Sequence, residues 1–140
     1  MLLKNLISNL DPKLAKNKIG GISFDSRLTK KRYLFVSISG NKSNGDNYIK
    51  HAVSNGAKVI IHSNNLKKIK KVFYLKVKDT RDILAKVCSK YYRNKPKNII
   101  AVTGTNGKTS ISDFFHQIFT IQNKKVGFIG TLGCKKNKNL

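Results

Sequence analysis

The stretch IIAVTGTNGKTSISDFF, residues 99–115, sets the local fold around which the rest of the chain can be interpreted. Its apolar beginning predicts a strand over residues 98–103, and its two glycines predict a tight turn. From Lys108 to about Gln122 the apolar residues return at helical spacing. A strand, a glycine turn and a helix in this order are typical of α/β proteins that bind phosphate at the turn.

The turn has the residue types that a phosphate site needs. Glycine tolerates positive φ and leaves no side chain between the backbone and a ligand, so successive N–H groups can point at one anion. The following helix adds its unpaired amides and the positive end of its dipole. We expect Lys108 to act catalytically on the outer phosphates of a bound ligand and Thr109 to contact Mg²⁺. The expected phosphate cradle comprises Gly104, Thr105, Asn106, Gly107, Lys108, Thr109 and Ser110.

The motif departs from the strict pattern G-x-x-x-x-G-K-[ST] at one position. Five residues before Gly107 stands Val102 instead of glycine, which makes G-T-N-G-K-T a shortened variant. A glycine turn that binds nothing is the alternative, and the agreement of strand, turn, Lys-Thr and helix argues against it.

The helix after the turn has a marked apolar stripe, formed by Ile111, Phe114, Phe115, Ile118 and Phe119. This spacing predicts that one helix face packs on a sheet and that its phenylalanines belong to the core. His116 falls on the opposite face, where we expect it to be exposed and without a catalytic role.

Upstream, helical and strand patterns alternate, which predicts an α/β fold with parallel strands. An amphipathic stripe predicts a short helix within residues 1–10, and residues 47–55 predict another that Gly56 terminates. Residues 79–93 predict a third helix, capped by Asp79 or Thr80. The segments YLFVSISG (33–40), AKVIIHS (57–63) and VFYLKV (72–77) predict strands. The polar stretch around Pro96 predicts a linker between domains at 1–95 and 96–140.

The composition narrows the function classes. The net charge is +23, with 29 Lys and Arg residues against 6 Asp and Glu. Lysines scattered along the chain supply nearly all of it, so we interpret the charge as a solvated surface that attracts anionic ligands and expect no nucleic-acid partner. Cys88 and Cys134 form no metal-binding pattern, and the N-terminus predicts neither a signal peptide nor a membrane span. These features favour the cytoplasm.

The segment VTGTNGKTS resembles the ATP loop of the Mur ligases, which extend the peptide of peptidoglycan precursors. The upstream FDSR (24–27) and LFVSISGNKSNGDNYIKHAVSNGAKVII (34–61) are similar to that family's N-terminal UDP-binding domain. KVGFIGTLG (125–133) is similar to the third ligase of the series, the MurE type. The resemblance implies a small UDP-binding α/β domain at 1–95 and the start of a parallel-sheet ATPase domain at 96–140.

The same resemblance implies a reaction. ATP phosphorylates the glutamate carboxylate of UDP-N-acetylmuramoyl-L-alanyl-D-glutamate, and meso-diaminopimelate or L-lysine attacks the acyl phosphate. By position, the residues implied to contact the UDP part are Phe24, Ser26, Asn41, Lys42 and Ser43. Without the family argument, Asp25-Ser26-Arg27 also fits a capping turn.

Because the family's remaining domains lack counterparts here, we expect this chain to be an N-terminal fragment that does not ligate alone. The alternatives are a stand-alone nucleotide-binding module without catalysis and another Mur-family ligase. The sequence indicates neither the diamino acid nor the oligomeric state.

Overall fold

The computed structural model describes residues 1–40, 43–131 and 133–137, and divides into two compact units, Met1–Lys95 and Pro96–Leu140. In the first unit, strands β1 (Gly21–Ser23), β2 (Tyr33–Val36), β3 (Ala57–His62) and β4 (Phe73–Lys76) form one sheet. They lie in the order β1-β2-β3-β4, and every pair is parallel. The predicted α/β class with parallel strands is therefore confirmed.

Two helices of the first unit follow the predicted segments. Helix α2 (Ile49–Ser54) lies between β2 and β3, preceded by a 3-10 turn at Gly45–Tyr48, and α3 (Thr80–Tyr91) follows β4. Asp79 caps α3, because its carboxylate accepts hydrogen bonds from the amides of Arg81 at 2.8 Å and Asp82 at 3.1 Å. These bonds lower the pKa of the Asp79 carboxyl group. The predicted cap is confirmed.

Both sheet faces are covered, so the central strands are buried on each side. Leu34 and Val36 of β2 lie in one apolar cluster with Val87 of α3, while Phe35 lies in a second cluster with Ala52 of α2. This alternation follows from the strand period of two. The parallel pairing of β1 and β2 places their carboxyl ends at the same edge of the sheet, and the loops after those ends carry the predicted UDP contacts.

The predicted helix within residues 1–10 is wrong. Only a 3-10 turn forms there, at Leu3–Asn5, and the first α-helix, α1, spans Pro12–Ala15. The carboxylate of Asp11 caps α1 by accepting from the amide of Lys13 at 2.8 Å. Asp11-Pro12 therefore begins a helix and does not end one. Proline is favoured at the first position of a helix, where its missing N–H group is not needed.

The second unit contains helix α4 (Lys108–Ile121) and strands β5 (Gly127–Gly130) and β6 (Gly133–Lys136), which pair antiparallel. The strand predicted at residues 98–103 is absent: that segment has no strand pairing to any residue that the structure describes. Ile99 is 81% exposed and Ile100 61%. A β-strand needs a neighbouring strand to accept and donate its backbone hydrogen bonds. Residues 98–103 have no such neighbour among the described residues.

The orientation predicted for α4 is also wrong. Asp113 accepts a hydrogen bond from Lys135 of β6 at 2.9 Å, so the polar side of the helix faces the hairpin. His116 is half-buried, and its Nε2 atom is shielded without a hydrogen-bond partner among the described residues. The apolar stripe is instead solvent-accessible, with Phe114 60% and Ile118 51% exposed. No helix in the described ranges is long and apolar enough to cross a membrane.

Candidate functional site

The turn before α4 has the backbone shape that a phosphate cradle requires. Gly107 precedes the first helical residue with φ at 76°, and Gly104 has φ at 141°. Both values are costly for residues with a side chain. Among the residues that the structure describes, a Cβ placed on Gly104 would have no neighbour nearer than 3.7 Å, and one on Gly107 none nearer than 4.0 Å. The space over the turn is therefore open to a ligand.

The amides of the turn are free to bind such a ligand. Across the segments that the structure describes, no protein group accepts a hydrogen bond from the backbone N–H groups of residues 104–110. The first bonded amide in the helix is that of Ile111, which donates to Gly107 at 2.9 Å. A helix start leaves its first amides unpaired, and an anion satisfies them.

Lys108 folds back over this turn. Its ammonium donates to the carbonyl oxygen of Gly104 and, at 3.0 Å, to that of Thr105. An ammonium group has three N–H donors, so these contacts leave one for a phosphate oxygen. The positive charge is thus held at the mouth of the cradle, close to the free amides.

Thr109 places a hydroxyl at the same helix start. Its Oγ1 atom lies 3.4 Å from Oγ1 of Thr131, which follows β5. This contact is at the long limit for a hydroxyl pair, so Thr109 is available to a stronger partner. Among the described residues no group of three or more His, Cys, Asp or Glu side chains could hold a metal ion by itself.

In the first unit, the residues predicted to contact UDP follow the carboxyl ends of β1 and β2. Phe24 is 66% exposed directly after β1, whereas Ser26 is only 4% exposed. Ser43, in the loop after β2, is exposed, and its carbonyl accepts from the amide of Gly40 at 2.9 Å. The predicted contacts Asn41 and Lys42 lie outside the described residues. Because β1 and β2 are parallel neighbours, both loops leave the same edge of the sheet.

Asp25 has a capping role in the turn after β1. Its carboxylate accepts from the Arg27 side chain at 2.7 Å and from the Arg27 amide at 2.9 Å. These two kinds of bond, the side-chain bond foremost, lower the pKa of Asp25 to about 2. The capping turn left open by the sequence is therefore present, and Ser26 is its first 3-10 residue.

Comparison with known proteins identifies the family. Residues 18–92 match the profile of the Mur ligase family, catalytic domain, and residues 102–140 match that of the Mur ligase middle domain. The first of these matches covers more than half of the sequence.

The chain belongs to the Mur ligase family. The UDP-N-acetylmuramoyl-L-alanyl-D-glutamate--2,6-diaminopimelate ligase of Clostridioides difficile strain 630 is 41% identical to it over 138 residues. That match covers 94% of this chain and 28% of the relative, so the chain spans less than a third of the relative's length. The resemblance found in the sequence, including its MurE type, is confirmed.

Solved Mur ligase structures agree with the fold. A UDP-N-acetylmuramoyl-L-alanyl-D-glutamate--2,6-diaminopimelate ligase matches with a TM-score of 0.74 at 24% identity, over 100% of this chain and 29% of that one. The MurF ligase from Thermotoga maritima, solved in complex with ADP, matches with a TM-score of 0.59 at 25% identity. This match covers 74% of the present chain and 23% of the MurF ligase.

Two residues of this Mur ligase chain that contact the candidate UDP site were missed by the sequence reasoning. His51 and Asn55 reach from α2 and its end to Ser26. Their spacing of four places them on one face of the helix, which a helical pattern could show. This helix face contacts a turn that lies 25 residues earlier in the sequence. Such a tertiary contact cannot be predicted from a local sequence pattern.

Proposed function

We propose that this chain provides the UDP-binding unit and the ATP loop of a MurE-type ligase. The whole ligase would use ATP to join a diamino acid, meso-diaminopimelate or L-lysine, to UDP-N-acetylmuramoyl-L-alanyl-D-glutamate. The observation that carries the proposal is the open turn at residues 104–109, where unpaired amides and one ammonium converge. The 41% identical relative is a 2,6-diaminopimelate ligase for UDP-N-acetylmuramoyl-L-alanyl-D-glutamate, which supports this type of reaction. A reaction that consumes ATP favours the cytoplasm.

In this proposal the cradle binds the phosphates of ATP. The cradle residues are Gly104, Thr105, Asn106, Gly107, Lys108, Thr109 and Ser110. Their amides would take the phosphate oxygens, and Lys108 would offset the charge of the group being transferred, which is the main electrostatic need of phosphoryl transfer. Thr109 is the residue whose hydroxyl would hold a bound Mg²⁺, and the ion would supply positive charge beside the phosphates.

The carboxyl edge of β1 and β2 would bind the UDP part. Exposed Phe24 offers an aromatic face, and Ser26 and Ser43 offer hydroxyls that suit uracil and phosphate edges. Asn41 and Lys42 belong to the same proposed loop. Ligands of parallel α/β sheets bind at this edge, which supports the placement.

Nucleotide titrations of the chain test the proposal. We expect Lys108→Ala to weaken ADP binding in Mg²⁺ by at least about tenfold, because the variant loses a charge-assisted phosphate contact. Isothermal titration calorimetry measures the affinity, and the thermal unfolding midpoint should stay unchanged because the lysine is exposed.

Lys97→Ala is the matched control, since it removes the same charge from an exposed position outside the cradle. If both variants lost the same affinity for ADP, the effect would come from the net charge of the chain and not from the cradle. An unaltered affinity in Lys108→Ala would overturn the assigned role of the loop.

A further inference from the structure

The turn that carries Ser26 is held by two side chains from α2 and its end. His51 Nδ1 lies 2.9 Å from Ser26 Oγ, and Asn55 Nδ2 donates to the Ser26 carbonyl oxygen at 2.8 Å. Asn55 Nδ2 also lies 3.5 Å from His51 Nε2. The three residues form a connected chain of polar contacts on one side of the turn.

The contact with the backbone fixes the orientation of the Asn55 amide. A carbonyl oxygen only accepts, so the group that faces Ser26 must be the NH₂ group. That group has a second hydrogen, and His51 Nε2 is the neighbouring atom that can accept it. A nitrogen that accepts carries no proton, so this 3.5 Å contact favours the neutral tautomer that carries its proton on Nδ1.

The tautomer determines what the serine can do. With a proton on Nδ1, His51 donates to Ser26 Oγ, and the serine hydroxyl keeps its own proton. Within the described residues, Ser26 Oγ has no hydrogen-bond partner besides His51. The residue is 96% shielded, since its exposure is 4%. In this tautomer the shielded serine donor has no acceptor among the described residues, which is costly, and an oxygen of a ligand would remove that cost.

We infer that His51 is a positioning residue for the nucleotide: as the Nδ1–H tautomer, it turns the Ser26 hydroxyl proton toward an acceptor oxygen of the UDP part. This inference rests on the proposed function, because it assumes that the turn after β1 meets UDP. Beyond the proposed function, His51 of α2 makes the Ser26 hydroxyl a hydrogen-bond donor to the ligand. Asn55 in turn selects the tautomer of His51.

UDP titrations of the chain and three His51 variants test the inference. We expect His51→Ala to weaken UDP binding by about tenfold, the worth of one well-placed hydrogen bond. His51→Asn can place an amide N–H near the position of Nδ1 and should stay within about threefold of the wild type. His51→Asp offers only acceptors, draws the serine proton toward itself, and should bind at least as poorly as His51→Ala.

A double-mutant cycle separates positioning from general stability. In the Ser26→Ala background, His51→Ala should cause no further loss of affinity, because its effect acts through the serine hydroxyl. His51 is exposed, so the circular dichroism melts of the His51 variants should coincide with that of the wild type. An additional loss in the double variant would overturn the inference.

Nitrogen NMR of the imidazole tests the tautomer without any ligand. In mildly alkaline buffer, the ¹⁵N shifts of His51 should show the proton on Nδ1, and Asn55→Ala should move the population toward Nε2–H. A wild-type ring protonated on Nε2, or UDP binding unaffected by His51→Ala, overturns the inference alone. Failure of the wild-type chain to bind UDP overturns the proposed function itself and the inference with it.

Discussion

The pairing of Asp25 with Arg27 shows how one residue links local structure to pH. Arg27 donates to both carboxylate oxygens of Asp25, through Nε at 3.0 Å and 3.2 Å and through a terminal nitrogen at 2.7 Å. The bonds favour the ionised carboxylate, which is why the pKa of Asp25 falls to about 2. A lowered pKa in the folded state stabilises the fold above the unfolded pKa of about 3.9.

We expect the acid titration of Asp25 to depend on Arg27. The contribution of Asp25 to stability should be complete above about pH 4 and should be lost as the pH falls through about 2. Arg27→Met should raise the midpoint toward the ordinary value, because the side-chain bonds disappear while the backbone bond remains. Carboxyl ¹³C NMR measures the midpoint. Asp79, held by the amides of Arg81 and Asp82, is the internal control and should not move.

At the scale of elements, Gly56 joins α2 to β3 in a conformation that few other residues adopt. Its φ is +103°, and an added Cβ would lie 2.8 Å from the Lys31 Cα atom and 3.0 Å from the Lys31 nitrogen. Its carbonyl accepts from the amide of Arg32 at 2.8 Å. Backbone shape and the approach of a neighbouring loop both require glycine.

Substitution of this glycine should therefore destabilise the first unit. We expect Gly56→Ala to lower the free energy of unfolding by more than about 1 kcal/mol, since the alanine is both strained and crowded. Urea denaturation measures the loss. Gly40→Ala is the control, because within the described part of the chain a Cβ there would meet only the Ser43 carbonyl at 3.4 Å, an ordinary contact. Similar stability in the two variants would contradict the argument.

The elements also show why some predictions from the sequence succeeded and others failed. β2, β3 and β4 were predictable because each is a short apolar run and finds its partners within the same 95 residues. The turn at residues 104–109 was predictable because glycine spacing determines it locally. The strand at 98–103 and the buried face of α4 were not, because both depend on neighbours. The link from His51 to Ser26 is tertiary and has no sequence signal.

At the scale of the whole molecule, a strongly cationic surface coexists with an uncovered apolar helix face. The net charge of +23 keeps chains apart in dilute salt, whereas salt at about 0.15 M screens the repulsion between charges that are more than about 8 Å apart. Once this repulsion is screened, the apolar face of α4 can associate with other apolar groups. Its exposed members are Ile111, Phe114, Phe115, Ile118 and Ile121.

This face should dominate the binding of a hydrophobic dye to the chain. We expect Phe114→Gln combined with Ile118→Gln to lower the fluorescence of bound anilinonaphthalene sulfonate by at least about twofold, because one contiguous patch is removed. The measurement belongs at about 0.5 M salt, so that the dye's sulfonate is not held by the cationic surface. Leu28→Gln removes a 66% exposed side chain from the first unit and should change the signal little. If it removes as much dye as the double variant, apolar exposure is spread over the molecule and the helix face has no special part in it.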